Sequence, residues 1–140
     1  MEEIKTLNAL AGSVREFAEL KGRILYQVQR IDDEEIRFYL TDSNYVRMYH
    51  QQDCCEYVYI EDICGDLEDL VGSPLLEAEE VEGTTTDLPD LGDESYTWTF
   101  YKFATRKGSV TIRWYGSSNG YYSERVDLEV VNGLEDDYND

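Results

Sequence analysis

The chain has few of the residues that carry most enzyme chemistry. Its 140 residues include one His, three Cys and two Pro. A lone His50 leaves any Cys nucleophile a single candidate base. There is no Gly-rich phosphate loop, no nucleophile elbow and no Ser/His/Asp arrangement. The reading is therefore of a non-enzymatic protein with no cofactor. Three Cys, two of them adjacent at Cys54 and Cys55, do not make a disulfide framework. No apolar run approaches the roughly 20 residues that span a bilayer. The opening MEEIKTLNALAGSVREF lacks the basic start and continuous apolar stretch of a secretory signal. These absences point to a soluble, reduced, cytoplasmic protein.

Positive charge is the scarcest commodity. Twelve Lys and Arg stand against 31 Asp and Glu, a net charge of −19. Between Arg47 and Lys102 there is no Lys or Arg at all. Such a surface repels free nucleic acid and anionic membrane. It favours a positively charged partner, of which a nucleic-acid-binding protein is the obvious kind. A solvated acidic surface that only maintains solubility is the plainer account of the same charge.

What is present argues for a single folded domain. Apolar residues make up 41% of the chain, and twelve Tyr accompany many Val, Ile and Thr. Residues 3–20 place Ile4, Leu7, Leu10, Val14 and Phe17 at helical spacing, and Lys21-Gly22 ends the pattern. This apolar stripe can pack on the domain or pair two copies of the chain. Residues 23–31, 36–40 and 45–50 read as strands. In 60–71, Ile60, Ile63, Cys64, Leu67, Leu70 and Val71 fall on one helical face, with Gly72 as a cap. A strand follows at 74–82, then an acidic loop at 83–95. Residues 96–103 and 109–115 form an antiparallel pair, Asn119-Gly120 signals a tight hairpin turn, and 124–131 is the last strand. The expected fold is α+β: a mostly antiparallel sheet of about six or seven strands, an N-terminal amphipathic helix and a short acidic helix. The expected organisation is a helix at 1–22, one domain at 23–131 and an acidic tail at 132–140.

Three clusters compete as sites. His50, Cys54, Cys55 and Cys64 have ligand types for zinc without the paired spacing, so the cysteines are expected to pack as small apolar groups. DICGDLEDL lacks the alternating ligands of a calcium loop. No metal site is expected. The acids Asp62, Asp66, Asp69, Glu77, Glu79, Glu80, Asp87, Asp90, Asp93 and Glu94 form the candidate partner-binding surface. Carboxylates engage Arg through strong bidentate contacts. The alternative is a small-nucleotide clamp built from Arg113, Asn119, Tyr121 and Tyr122, helped by Arg47 or Arg125. Cross-strand stacking and turn chemistry explain those same residues without a ligand.

The stretches MYHQQDCCEYVYIEDICGDLEDLVGSPLLEAEE, SYTWTFYKFAT and GSVTIRWYGSSNGYYSERVDLE are long and unusual. Through them, from about Leu20 to Val131, the chain resembles a family of small phage and prophage proteins with no assigned activity. That setting implies an inhibitor of host defence. One form is an anti-CRISPR-like DNA mimic that occupies the nucleic-acid-binding site of a CRISPR nuclease. The other is a sponge that sequesters a cyclic nucleotide signal.

Overall fold

The structure, a computed structural model, describes residues 16–83, 95–120 and 122–132. It contains eight strands: β1 Gln27–Ile31, β2 Glu35–Tyr39, β3 Asn44–Tyr49, β4 Tyr57–Cys64, β5 Glu77–Gly83, β6 Ser95–Thr105, β7 Gly108–Ser118 and β8 Asp127–Asn132. They form two four-stranded antiparallel sheets, ordered β1-β2-β3-β8 and β4-β7-β6-β5. The α+β expectation is therefore wrong. Among the described residues the only helical elements are two 3-10 turns, Phe17–Leu20 and Leu67–Leu70. Residues 1–15 of the expected amphipathic helix, and its role in pairing chains, lie outside the described residues.

The two sheets pack face to face. Val28, Ile36, Phe38, Val46 and Met48 of the first meet Ile60, Phe103, Val110, Ile112 and Trp114 of the second in one buried cluster. Phe38 and Phe103 touch across the interface with ring centroids 5.1 Å apart. The Trp114 indole Nε1 donates to Met48 Sδ at 3.1 Å. Strands such as β2 and β7 alternate in and out because one face is apolar and the other wet. The Phe17–Leu20 turn closes one side of this core, with Phe17 edge-on to Tyr101 at 4.8 Å.

The acidic helix expected at 60–71 is the largest local correction. Residues 57–64 are an edge strand paired with β7, and its register shifts at a bulge between Ile60 and Asp62. A bulge adds one residue to one strand. Ile60 and Ile63, three apart, therefore both face inward, opposite Trp114 and Ile112. That spacing imitates a helical stripe. The chain then turns through Gly65 at φ 112° into the 3-10 turn, whose Glu68 amide is capped by the Asp66 side chain.

At Asn119-Gly120 the chain bends, with only Gly120 at positive φ, 90°, and the expected tight hairpin does not form, since β8 does not fold back onto β7. Strand β8 crosses to the other sheet and pairs with β3. Gly116 permits the crossing. A Cβ there would lie 2.6 Å from the Glu124 carbonyl oxygen and 2.9 Å from the Glu124 Cβ. The segment after the turn therefore lies directly against β7.

Candidate functional site

Strand β5 carries EAEEVE at a sheet edge. Its register decides where each acid points. Ala78, Glu80 and Glu82 sit opposite Phe103, Tyr101 and Thr99. Directly opposed residues share a face, and Phe103 faces the core. Glu80 and Glu82 therefore extend the inner face of the sheet, while Glu77 and Glu79 extend the outer face beside Lys102. None of the four carboxylates forms an ion pair among the described residues. Charge on an edge strand also blocks edge-to-edge pairing, so these acids have a structural use as well.

Beyond Ala78 the sandwich gapes. Glu80, Glu82, Thr97, Thr99 and Tyr101 form one wall of a cleft of about 570 Å³, and residues 122–126 form the other. Neutral hydroxyls orient its acids. Tyr101 Oη donates to Glu80 Oε2 at 2.5 Å. Thr97 Oγ1 and Ser118 Oγ donate to the two oxygens of Glu124 at 2.9 and 2.5 Å. Burial first, and then the Glu80 carboxylate, push the Tyr101 phenol far above its ordinary pKa, so it remains a donor.

The other expected acids are dispersed. Asp62 projects from β4, the opposite edge of the sheet, where it pairs in register with Arg113. Asp66 caps the 3-10 turn by accepting from the Glu68 amide at 3.0 Å. The Asp69 carbonyl accepts the Thr105 hydroxyl. Asp87, Asp90, Asp93 and Glu94 lie outside the described residues. The six described acids do not share one face.

The nucleotide clamp is likewise not assembled by the strands. Arg113 sits in the middle of β7, ion-paired with Glu61 and over the Trp98 ring at 5.2 Å. Asn119 lies six residues further along the chain, about 20 Å away at strand rise. Tyr122 lines the acidic cleft, and Tyr121 lies outside the described residues. Arg47 binds Glu35 at 2.9 Å and Glu129 at 3.3 Å, and Arg125 approaches Asp127 at 3.8 Å.

The His and Cys cluster resolves differently from the sequence reading. Cys54, Cys55 and Cys64 are exposed, not packed. Cys54 and Cys55 are joined as a vicinal disulfide, where reduced thiols were expected. Cys64 donates its S–H to Asp62 Oδ2 at 3.4 Å. The organising group of this loop, missed in the sequence, is Glu56, which is only 3% exposed. Its carboxylate accepts from the amides of Asp53 and Cys54, both at 2.9 Å, and pairs with His50 Nε2 at 2.7 Å. Burial alone would raise its pKa, but these donors outweigh burial and hold it at about 2. Among the described residues no group of three or more His, Cys, Asp or Glu is placed to hold a metal ion. No helix among them is long and apolar enough to cross a membrane.

No curated protein and no solved structure matches the chain. A family match does cover most of its length, from the Phe17–Leu20 turn into β8. Over residues 18–128 the chain belongs to the family described as a domain of unknown function, DUF7448.

Proposed function

We propose that this protein is a non-enzymatic binding module whose β5 edge engages a basic, nucleic-acid-binding protein. The observation that carries this reading is the density of unpaired carboxylates on that strand. Glu77, Glu79, Glu80 and Glu82 form no ion pair among the described residues. At strand rise they span about 17 Å, roughly one charge per 4 Å. One strand of duplex DNA carries about one charge per 3.4 Å. An Arg or Lys row that meets the strand edge-on can reach acids of both faces, two on each face about 7 Å apart.

The finer reading is that the partner is a host defence nuclease of the CRISPR type, blocked by DNA mimicry. It draws on the resemblance to phage and prophage proteins and on the −19 charge. The test is DNA binding by a panel of purified RNA-guided nucleases, with and without this protein. The expected result is that at least one nuclease loses target DNA to the wild-type chain, more strongly at low salt. The outer-face double variant Glu77→Lys/Glu79→Lys should lose most of that inhibition. Undiminished inhibition by the variant, or no inhibition of any nuclease, would exclude the proposal.

A further inference from the structure

We infer that Cys54 and Cys55 form a reversible thiol–disulfide site for low-molecular-weight thiols, whose oxidation state sets how firmly the 50–56 loop holds the start of β8. This goes beyond the edge-strand reading and does not depend on it, since β5 takes no part.

The first argument is what the bridge does not do. In the chain-entropy account a disulfide stabilises a fold by closing a long loop of the unfolded chain. Cys54 and Cys55 are adjacent, so their bridge encloses nothing beyond the peptide that joins them. It is no staple for the sandwich. Its restraint is local, on the backbone torsions between the two residues.

The second argument is access. Both cysteines are exposed in the loop between β3 and β4. Exposed disulfides are the labile ones that exchange with thiols in solution. The third cysteine, Cys64, lies at the far end of β4, about 20 Å away at strand rise. Within the chain the bridge therefore opens and recloses between the same two sulfurs.

The third argument is that the restrained backbone is the backbone that binds Glu56. The amides of Asp53 and Cys54 donate to the Glu56 carboxylate, both at 2.9 Å. Gln52 Nε2 donates to the Glu56 carbonyl at 2.7 Å and to the Cys54 carbonyl at 3.2 Å. That Cys54 carbonyl belongs to the peptide inside the disulfide ring. Opening the ring frees its torsions, and holding the same donors in place then costs more backbone entropy.

Glu56 passes the change on to β8. Its carboxylate meets His50 Nε2 at 2.7 Å, and His50 Nδ1 lies 2.6 Å from the Arg125 carbonyl oxygen. The Gln51 amide donates to Asp127 Oδ2 at 2.9 Å. Asp127 is the first residue of β8, the last strand of its sheet. A looser loop is therefore a looser entry to an edge strand.

The exchange is a two-electron step. In the reductive direction a small thiolate attacks one sulfur of the pair, the S–S bond breaks and a mixed disulfide forms. A second small thiolate attacks the small-thiol sulfur of that mixed disulfide, and the oxidised small thiol leaves. Two small thiols lose two electrons and become one disulfide. Cys54 and Cys55 gain those electrons, with two protons, and become free thiols. The reverse sequence uses the small disulfide as oxidant.

The test equilibrates the full chain in glutathione buffers from fully reduced to fully oxidised. Alkylation and mass spectrometry count the thiols of the pair. Hydrogen exchange follows residues 51–56 and 126–132 in the same samples. The expected result is a two-electron transition within the glutathione range, with exchange in both segments severalfold faster in the reduced chain. Exchange in the β6–β7 pair should differ by less than about twofold. Cys54→Ser/Cys55→Ser should behave as the reduced chain in every buffer. In Glu56→Gln the bridge should still form and open, but the redox difference at 126–132 should be lost. Thiols that persist in oxidised glutathione, a reaction that stops at the mixed disulfide, or a bridge that survives reduced glutathione would overturn the assignment. So would exchange at 126–132 that ignores the redox state. The wild-type comparison needs no variant, so it stands if one fails to fold.

Discussion

The imidazole of His50 lies between two acceptors, with Nδ1 2.6 Å from the Arg125 carbonyl oxygen and Nε2 2.7 Å from the Glu56 carboxylate. His50 thereby ties the 50–56 loop to the segment that enters β8.

The first prediction follows from Glu56. Its carboxyl is held at about 2, below the ordinary 4.5. A depressed carboxyl pKa adds stability above the unfolded value, and that stability is lost as pH falls through the folded value. The difference in urea midpoint between wild type and Glu56→Gln should be largest above pH 4.5 and shrink toward pH 2. Comparing the two proteins cancels the acid response shared by the other carboxylates. A difference that stays constant across that window would contradict the linkage.

Gly65 and Gly22 provide a second test. Both have positive φ, 112° and 89°. A Cβ on Gly22 meets nothing within 4 Å, whereas one on Gly65 runs into the Ser109 carbonyl oxygen and the Val110 backbone. Gly22→Ala should cost about 1 kcal/mol from backbone strain alone. Gly65→Ala should cost about 3 kcal/mol, because neighbouring backbone must also move. Equal losses in chemical denaturation would show that the β4–β7 approach is looser than described.

The third prediction concerns Cys64. The hydrogen bond to Asp62 and the negative charge of that carboxylate raise the thiol above its ordinary pKa. Thiolate is the reactive form. Iodoacetamide should therefore alkylate Cys64 severalfold faster in Asp62→Asn than in wild type, at pH about 8. Mass spectrometry of the modified peptide identifies the site. Identical rates would remove Asp62 as the cause.

Much of the sheet was legible because half-buried strands alternate. Ile36 and Phe38 against Arg37 and Tyr39, or Val110, Ile112 and Trp114 against Thr111 and Arg113, show the period directly. The β6–β7 pairing was legible too, through its short connection and matched lengths. Strand β4 was not, because the bulge at Ile60/Asp62 placed inward apolar residues three apart. A helix and a bulged strand then look alike over one turn. The acidic stretch hid a second fact. EAEEVE does not reveal that Glu80 faces between the sheets while Val81 faces out, since that depends on pairing with Tyr101 and Phe100. Glu56 was hidden by its surroundings: among so many exposed acids, nothing marked one as buried.

Arg47 on β3 and Glu129 on β8 meet across 82 residues of sequence. During translation at 5–20 residues per second, about 4–16 s separate the emergence of these two partners from the ribosome. Throughout that interval β3 has no neighbour on its outer side. The nascent first sheet is then a three-stranded fragment with an open margin at β3. A chaperone that grips extended apolar segments would find its opening there, and the arrival of β8 would end it.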